Sequence, residues 1–398
     1  MSESYGKQVM WIGICTILAI VVMNIEGEFF NQFAWVIYGA VIVLLVAVLL
    51  IGTEINGAKA WFRIGSFGLQ PSEFSKLAVS LALARFIGSS KNELRHITTR
   101  FQAALIPIVP AGLILLEPDV GTLLVYLGFV FVMHREGISG NILIAGMGGI
   151  VLGIAAITMT ESTFVYPFIG ENTGVVLLLL IVTVVAILAF LFIRLLTLPR
   201  FRRKRIIQLC VWFVLAIGFT ATVSYVMESD KILKDYQKNR IHIILGLLED
   251  PQGSGYNLDK SKMAIGSGGF SGKGYLEGPL SKYDYVPEQN TDFIFTNIGE
   301  EWGFIGSVFV MGLFVALALR MIFLAERQRS QFSRVYGYSC AAIIFMHFLI
   351  NVGMVMGLAP VIGIPLPFFS YGGSSLMGFT LLIFVMVRLD AERLTVFR

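Results

Sequence analysis

The sequence has little charge and almost no cysteine. Only 14% of its 398 residues are charged, and Cys15, Cys210 and Cys340 each lie inside an apolar run. This pattern indicates neither a disulfide framework nor a zinc site, and the scattered histidines argue against a histidine metal cluster. The scarcity of charge excludes an ordinary soluble domain of this length. The net charge of +4 gives no indication of a nucleic-acid partner, because the basic residues lie in short loops.

Long apolar runs take the place of charge, and the chain is 56% hydrophobic with a mean hydropathy of +0.78. The runs are about 15 to 23 residues long, close to what a bilayer core of about 30 Å requires of a helix. They lie near 9–25, 34–52, 73–88, 102–116, 119–133, 141–159, 174–193, 206–226, 303–325, 336–357 and 371–388. The sequence therefore predicts an all-α polytopic membrane protein of about eleven transmembrane helices, with residues 1–398 as a single transmembrane domain.

Basic residues are concentrated in short connections, which the positive-inside rule places in the cytoplasm. These are 85–100, 194–205, 326–335 and the C-terminal tail. Alternation then places five loops on the extracytoplasmic face. These are 53–72, 117–119, 160–173, 227–302 and 358–370. We expect the chemistry around the long polar loop 227–302, where residues 232–247 have the spacing of an amphipathic helix lying on membrane lipids.

A glycine-rich run extends from Ala264 to Gly274, with Lys262 before it and Lys273 within it. Such glycine density is typical of backbone that turns tightly or closely approaches a ligand. The run fails the Walker pattern, because Lys273 is followed by glycine rather than by serine or threonine. Two interpretations stay open: a set of turns, or a nest of N–H groups that binds an anionic headgroup with the lysines.

The run from Pro287 to Phe295 carries two carboxylates, Glu288 and Asp292, just before a span. Aromatic neighbours partly desolvate Asp292, which raises a carboxylate pKa and suits it to general-base work. The alternative is that Asp292 caps the following helix. We favour the catalytic role. For Glu300 and Glu301 we favour an interfacial helix end.

Three further clusters are predicted on the same side. Glu73 and Lys76, at i and i+3, form an intramembrane pair that is either functional or a structural salt bridge. Glu117-Pro118-Asp119 is interpreted as the top of a helical hairpin bordering the site. The run from Pro365 to Ser375, which contains Ser370, Gly372 and Gly373, breaks the backbone at membrane depth and is expected to line a groove.

Basic residues near these clusters could bind a diphosphate, since ammonium and guanidinium groups both suit phosphate oxygens. The predicted set is Arg240, Lys262, Lys273 and Lys76. For the neighbouring Lys231, Lys234 and Lys238 a simple contact with anionic lipid is favoured.

Taken together, these motifs resemble the SEDS family of FtsW, RodA and SpoVE over nearly the whole chain. The segments that carry the resemblance are 70–73 with Lys76, 118–122, 264–269, 287–295, 299–301 and 365–375. Asp250-Pro251, Gly255-Tyr256, 261–265 and 272–274 look more like the elongation branch, which shapes the cell, than the division branch. The resemblance implies a peptidoglycan glycosyltransferase of the bacterial cytoplasmic membrane that polymerises lipid II outside. It also implies a class B penicillin-binding protein as partner, Asp292 as the catalytic carboxylate and Glu288 in the same motif.

The chain departs from the family pattern in several places. Ala60 stands where an arginine is usual, and Glu117 replaces a glutamine. A helix pair around 174–226 is additional, and one N-terminal helix is expected to be missing. A flippase for a lipid-linked precursor and a scaffold for the synthase remain the alternative functions. Whether a divalent cation such as Mg²⁺ or Mn²⁺ takes part is left open.

Overall fold

The computed structural model describes residues 2–55, 58–64, 67–89, 96–138, 140–160, 163–166, 170–229, 254–283, 285–359 and 361–394. The chain divides into two compact units. The first comprises Met1–Ile138 and Pro251–Arg398, and the second comprises Ser139–Asp250. All the predicted site residues that the structure describes belong to the first unit.

The first unit is helical. Its N-terminal helices are α1 (Ser2–Asn24), α2 (Gly27–Gln32), α3 (Ala34–Ile51), α4 (Pro71–Gly88), α5 (Ile97–Leu116), α6 (Val120–Val125) and α7 (Gly128–Arg135). Before α4 lies an antiparallel sheet of β1 (Thr53–Ile55), β2 (Ala58–Ile64) and β3 (Phe67–Leu69), with Thr53 opposite Trp61 and Phe62 opposite Leu69.

The C-terminal part of the first unit contributes many residues to its core. Three helices of the second unit, α8 to α10, lie between α7 and this part in sequence and are described below. The C-terminal helices are α11 (Ser254–Gly268), α12 (Pro279–Lys282), α13 (Ile294–Glu326), α14 (Gln331–Met356) and α15 (Gly373–Ala391). Most side chains of α4 and α14 are buried, and α13 bends at Gly303, whose φ of 63° is non-helical. Polar residues on α4 and α14 are therefore forced to find partners inside the protein.

The second unit contains α8 (Gly140–Thr160), a hairpin of β4 (Thr163–Tyr166) and β5 (Gly170–Thr173), α9 (Gly174–Leu196) and α10 (Pro199–Glu228). The hairpin pairs Thr163 with Thr173 and Tyr166 with Gly170. Many apolar side chains of α9 and α10 are exposed, as expected for helices that face lipid. These two helices are the predicted additional pair.

The polytopic helical fold is confirmed. Among the described residues, eight helices are long and apolar enough to cross a membrane. The three other predicted runs coincide with α4, with the broken pair α6 and α7, and with α8. The five short strands were not predicted, and they lie in loops expected on the outer face.

Two expectations for the long loop have different outcomes. The amphipathic segment 232–247 and Arg240 lie outside the described residues. The glycine-rich run does not begin as a turn, because α11 continues through Gly268 before the chain reverses. Helical hydrogen bonds offset the usual cost of glycine there.

Candidate active site

The predicted catalytic carboxylates lie on a tight turn before α13, here named the acidic turn (residues 286–293). Val286 and Phe293 are buried and anchor its two ends. Glu288 has a φ of 57°, and its backbone oxygen accepts hydrogen bonds from the N–H groups of Thr291 and Phe293, both at 3.1 Å. The turn is thus closed by its own backbone and presents Asp292 on a short, defined segment.

A second irregular segment, here named the proline break (residues 361–372), is hydrogen-bonded to the acidic turn. The Ser370 hydroxyl donates to the backbone oxygen of Thr291 at 2.5 Å, and the N–H of Tyr371 donates to that of Asn290 at 2.8 Å. Ser370 also accepts the N–H of Leu366 at 2.7 Å. The proline break therefore contacts the acidic turn through backbone oxygens, which side-chain changes in the turn would leave in place.

The Asp292 side chain is not a helix cap. The N-cap of α13 is Phe293, and no side chain caps that helix. Among the residues that the structure describes, none donates a hydrogen bond to the Asp292 carboxylate; its backbone oxygen alone is bound, by Asn351 at 2.8 Å. The capping interpretation is wrong, and the carboxylate is left available for an incoming proton donor.

The surroundings of Asp292 favour its neutral form. Burial raises the pKa of Asp292 to about 7, and the negative charge of Glu288 is the next largest cause. The carboxylates of Asp119 and Glu73 act in the same direction. A group with a pKa near the working pH can both accept and release a proton readily, as a general base requires.

Asp119 differs from Asp292, because donors surround its carboxylate. It caps α6 by accepting the N–H of Thr122 at 2.9 Å, and the Thr122 hydroxyl donates to it at 2.8 Å. Gln70 and Ser72 donate to the same carboxylate at 3.1 and 3.0 Å. Four hydrogen bonds fix the position of this carboxylate and join the start of α4 to the start of α6.

Glu73 and Lys76 form the predicted pair inside the protein. The Lys76 ammonium lies 2.8 Å from Glu73 Oε2 and 2.8 Å from His347 Nε2, and both members of the pair are buried. It also lies 5.0 Å from the centre of the Phe379 ring. The pair is thus a buried salt bridge that extends to α14, and its Glu73 carboxylate acts electrostatically on Asp292.

Glu117, at the end of α5, is fully buried, and neither of its carboxyl oxygens has a hydrogen-bond partner among the residues that the structure describes. Burial, with a smaller contribution from Asp119, raises the pKa of Glu117 to about 8. The neutral acid is the form that such a site tolerates. Glu117 therefore adds no negative charge at neutral pH to the carboxylates around Asp292.

The glycine turn (residues 269–274) is occupied by the protein itself. The N–H groups of Gly272, Lys273 and Gly274 donate to the backbone oxygens of Gly268, Glu300 and Glu301. A Cβ on Gly272 would lie 2.1 Å from the Glu301 oxygen. This geometry favours the turn interpretation over an anion nest, since these three donors are already used.

Glu300 binds the glycine turn through its backbone oxygen and α12 through its carboxylate. Its carboxylate accepts the N–H of Leu280 at 3.0 Å, and both the N–H and the hydroxyl of Ser281, at 2.7 and 2.5 Å. Lys273 lies 3.6 Å away from the same carboxylate. The predicted structural role of Glu300 agrees with this arrangement, and Lys273 faces Glu300 rather than Asp292.

Three other predicted binding residues, Lys262, Gly373 and Gly372, contact or cap helices. Lys262 lies against Gly357, the C-cap of α14, where a positive charge is favourable to the helix dipole. Gly373 is covered by the Trp11 ring, 2.2 Å from where its Cβ would be. Gly372 is the extended N-cap of α15. The structure thus brings together Asp292, Glu288, Glu73, Lys76, Asp119 and Ser370, while Lys262 and Lys273 lie at other contacts.

In the part of the chain that the structure describes, no group of three or more histidine, cysteine, aspartate or glutamate residues could hold a metal ion.

Two site residues escaped the sequence analysis. His347 and Asn351 lie one turn apart on α14, in an otherwise apolar span. His347 contacts Lys76, and Asn351 donates to the backbone oxygens of Asp292 and Ile364 at 2.8 and 2.6 Å. The signal that could have found them is their polarity at i and i+4 inside a transmembrane helix.

Comparison with known sequences shows the family of the chain. A family described as "Cell cycle protein", which covers FtsW, RodA and SpoVE, matches residues 2–166 and 185–394. The chain belongs to the FtsW/RodA/SpoVE family. The interval between the two matched segments includes the first part of α9, whereas α10 lies inside the second matched segment.

Within the family, the relatives include "Peptidoglycan glycosyltransferase RodA" of Treponema pallidum, 33% identical over 99% of this chain and 91% of that protein. "Peptidoglycan glycosyltransferase MrdB" of Escherichia coli is 31% identical over 93% of this chain and 81% of the relative.

Solved structures share the fold. A chain from a study of "polymerization and crosslinking by a peptidoglycan synthase complex" superposes with a TM-score of 0.70 at 25% identity, covering 98% of this chain and 90% of that one. The rod shape determining protein RodA of Thermus thermophilus superposes with a TM-score of 0.58 at 24% identity, covering 97% and 87%.

Proposed function

We propose that this SEDS protein is a peptidoglycan glycosyltransferase that polymerises lipid II during cell elongation, with Asp292 as the general base. The observation that carries the proposal is the Asp292 carboxylate: its pKa lies near 7, and no described residue donates a hydrogen bond to it. The carboxylates of Asp119 and Glu73 already accept hydrogen bonds from protein side chains. The Asp292 carboxylate can accept a proton from a substrate hydroxyl, as general-base catalysis requires.

The reaction follows from that carboxylate. A sugar hydroxyl of the acceptor gives its proton to Asp292, and its oxygen attacks the anomeric carbon of the lipid-linked donor. The bond from that carbon to the diphosphate oxygen breaks, and undecaprenyl diphosphate leaves with both bonding electrons. One base is enough for inversion at this carbon, in contrast to the two-carboxylate plan of glycoside hydrolases.

The other site residues have supporting roles in this proposal. Glu288, exposed beside Asp292, accepts the Thr291 hydroxyl at 2.8 Å and increases the affinity of Asp292 for its proton. The ammonium of Lys76 donates two of its three N–H groups to Glu73 and His347. Lys76 therefore balances buried negative charge, and one N–H group remains for the diphosphate.

Sidedness and partner are part of the proposal. The site is built from the segments around 70–76, 117–122, 288–293 and 361–372, and the basic-loop pattern puts their outer connections on the extracytoplasmic face. Likeness to a chain from a peptidoglycan synthase complex supports a class B penicillin-binding protein as the crosslinking partner. The active site would then open toward the compartment where the glycan strand is crosslinked.

The test is polymerisation of lipid II by the purified chain with its partner synthase. Asp292→Ala should abolish glycan strands, whereas Asp259→Ala, an exposed aspartate on α11, should leave them unchanged. Full polymerisation by Asp292→Ala would show that another group is the base. A scaffold would also tolerate this change, and a flippase would move lipid II across vesicles without making strands.

A further inference from the structure

One face of α14 joins the two halves of the candidate site. His347 and Asn351, at i and i+4, are both buried. His347 reaches Lys76 on α4, while Asn351 reaches the backbone of Asp292 in the acidic turn. Residues spaced by four on a helix lie one above the other, so a single rigid element sets the separation between these contacts.

The hydrogen bonds of His347 define its state. The Lys76 ammonium can only donate, so His347 Nε2, 2.8 Å away, must accept. The proton of the neutral ring then lies on Nδ1, which faces the backbone oxygen of Pro365 at 3.3 Å. The Phe379 ring packs edge to face on the imidazole at 4.8 Å and fixes its plane. Each ring nitrogen thus has a different task.

Asn351 repeats this arrangement one turn further along. Its two amide hydrogens are shared between the backbone oxygens of Asp292 and Ile364, at 2.8 and 2.6 Å. Both α14 residues therefore bind adjacent carbonyls of the proline break, at Pro365 and Ile364. Each also binds one of the charged residues that the proposed reaction uses.

We infer that His347 and Asn351 are positioning residues that set the place of Lys76 relative to Asp292 for the glycosyl transfer. This inference rests on the proposed function, and it adds two residues that contact neither sugar nor diphosphate. It assigns to the proline break a second task, as the shared support on which both α14 side chains are aligned.

Alignment of this kind affects the rate more than the affinity. A base or cation displaced by about 1 Å can lower the rate about 100-fold, because the reacting groups leave their attack geometry. Binding of the long lipid-linked substrate, which depends on many other contacts, changes little. The expected signature is a fall in kcat with KM nearly constant.

Three substitutions at His347 separate positioning from packing. Glutamine retains an acceptor near the Nε2 position, asparagine retains only a donor near Nδ1, and leucine retains neither. We expect kcat to fall about 100-fold in His347→Leu and His347→Asn, and to recover at least about tenfold of that loss in His347→Gln. Asn351→Leu, which frees the backbone of Asp292, should resemble His347→Leu.

The matched control is Ser339→Ala, a buried polar residue of α14 whose hydroxyl, among the described residues, bonds only to Val335 of its own helix. Thermal unfolding of each purified complex corrects the rates for folded protein. Equal kcat in His347→Leu and the unaltered chain, or a loss that glutamine does not relieve at equal Tm, would overturn the inference. Failure of the unaltered chain to polymerise lipid II would instead overturn the proposed function beneath it.

Discussion

The glycine turn and the acidic turn belong to the same long loop, and the sequence predicts a site at each. They differ in whether their polar groups have hydrogen-bond partners. At the glycine turn the backbone donors are used within the protein, and the carboxylate of the adjoining Glu300 accepts three hydrogen bonds from Leu280 and Ser281 of α12. At the acidic turn, the Asp292 carboxylate has no described donor. Satisfied buried polar groups hold a structure, whereas an unsatisfied one that is held in place is available for chemistry.

The strongest test of this contrast is Asp292→Asn. We expect a fall in polymerisation of about 10²- to 10⁴-fold, the usual contribution of a general base. A carboxyl whose pKa is higher in the folded than in the unfolded chain lowers the stability of the fold once the pH exceeds its unfolded-state pKa. Asp292→Asn removes this effect, so the variant should keep or raise the Tm at pH 8. Activity is measured with lipid II and stability by thermal unfolding. A large drop in Tm would mean that Asp292 holds the structure as Glu300 does.

The converse test is Glu300→Ala. Removing the acceptor of three hydrogen bonds leaves buried donors unpaired, so we expect a loss of about 3 kcal/mol in stability. The rate per folded molecule should stay close to that of the unaltered chain. Glu277→Ala, which removes an exposed carboxylate from the segment between the glycine turn and α12, is the control. A lost rate at unchanged Tm would erase the distinction between the two turns.

A smaller effect is expected for Gly272→Ala. Gly272 has a φ of 80°, and a Cβ there would lie 2.1 Å from the Glu301 oxygen. We expect a loss of about 2 kcal/mol, since strained left-handed backbone and a close contact add together. Gly266→Ala, on α11 with no atom within 4 Å of the new Cβ, should gain up to about 1 kcal/mol. Equal stabilities of the two variants would contradict the close packing of the glycine turn.

The smallest predicted effect is on the pH profile. Because Asp292 must be ionised to accept a proton, kcat/KM should rise about tenfold per pH unit below 7 and level above it. Glu288→Gln removes a negative charge that raises the pKa of Asp292, so the rising part of the pH profile should move to lower pH. The rate is measured from pH 5 to 9 for both proteins. A rising part that stays in place or moves upward would show that Glu288 does not act on the base.

Much of this architecture was predictable, and the exceptions have a common origin. The helices and the clustering of the motifs around Asp292 follow from apolar length and from loops that share one face. The short strands were missed because they are too brief to give a clear alternation. His347 was set aside as a scattered histidine, because its value comes from Lys76, which is 271 positions away in the chain.

The sequence by itself determined that this chain is a polytopic helical membrane protein of the SEDS family with acidic residues in the loops between its spans. Apolar runs of bilayer length and short motifs suffice for that, since both are local properties. Only the tertiary structure decided which polar groups are satisfied. It bound the carboxylates of Asp119 and Glu300, left that of Asp292 without a described donor, and aligned His347 with Asn351 beneath the site. Hydrogen bonding inside an apolar interior depends on neighbours that only folding brings together.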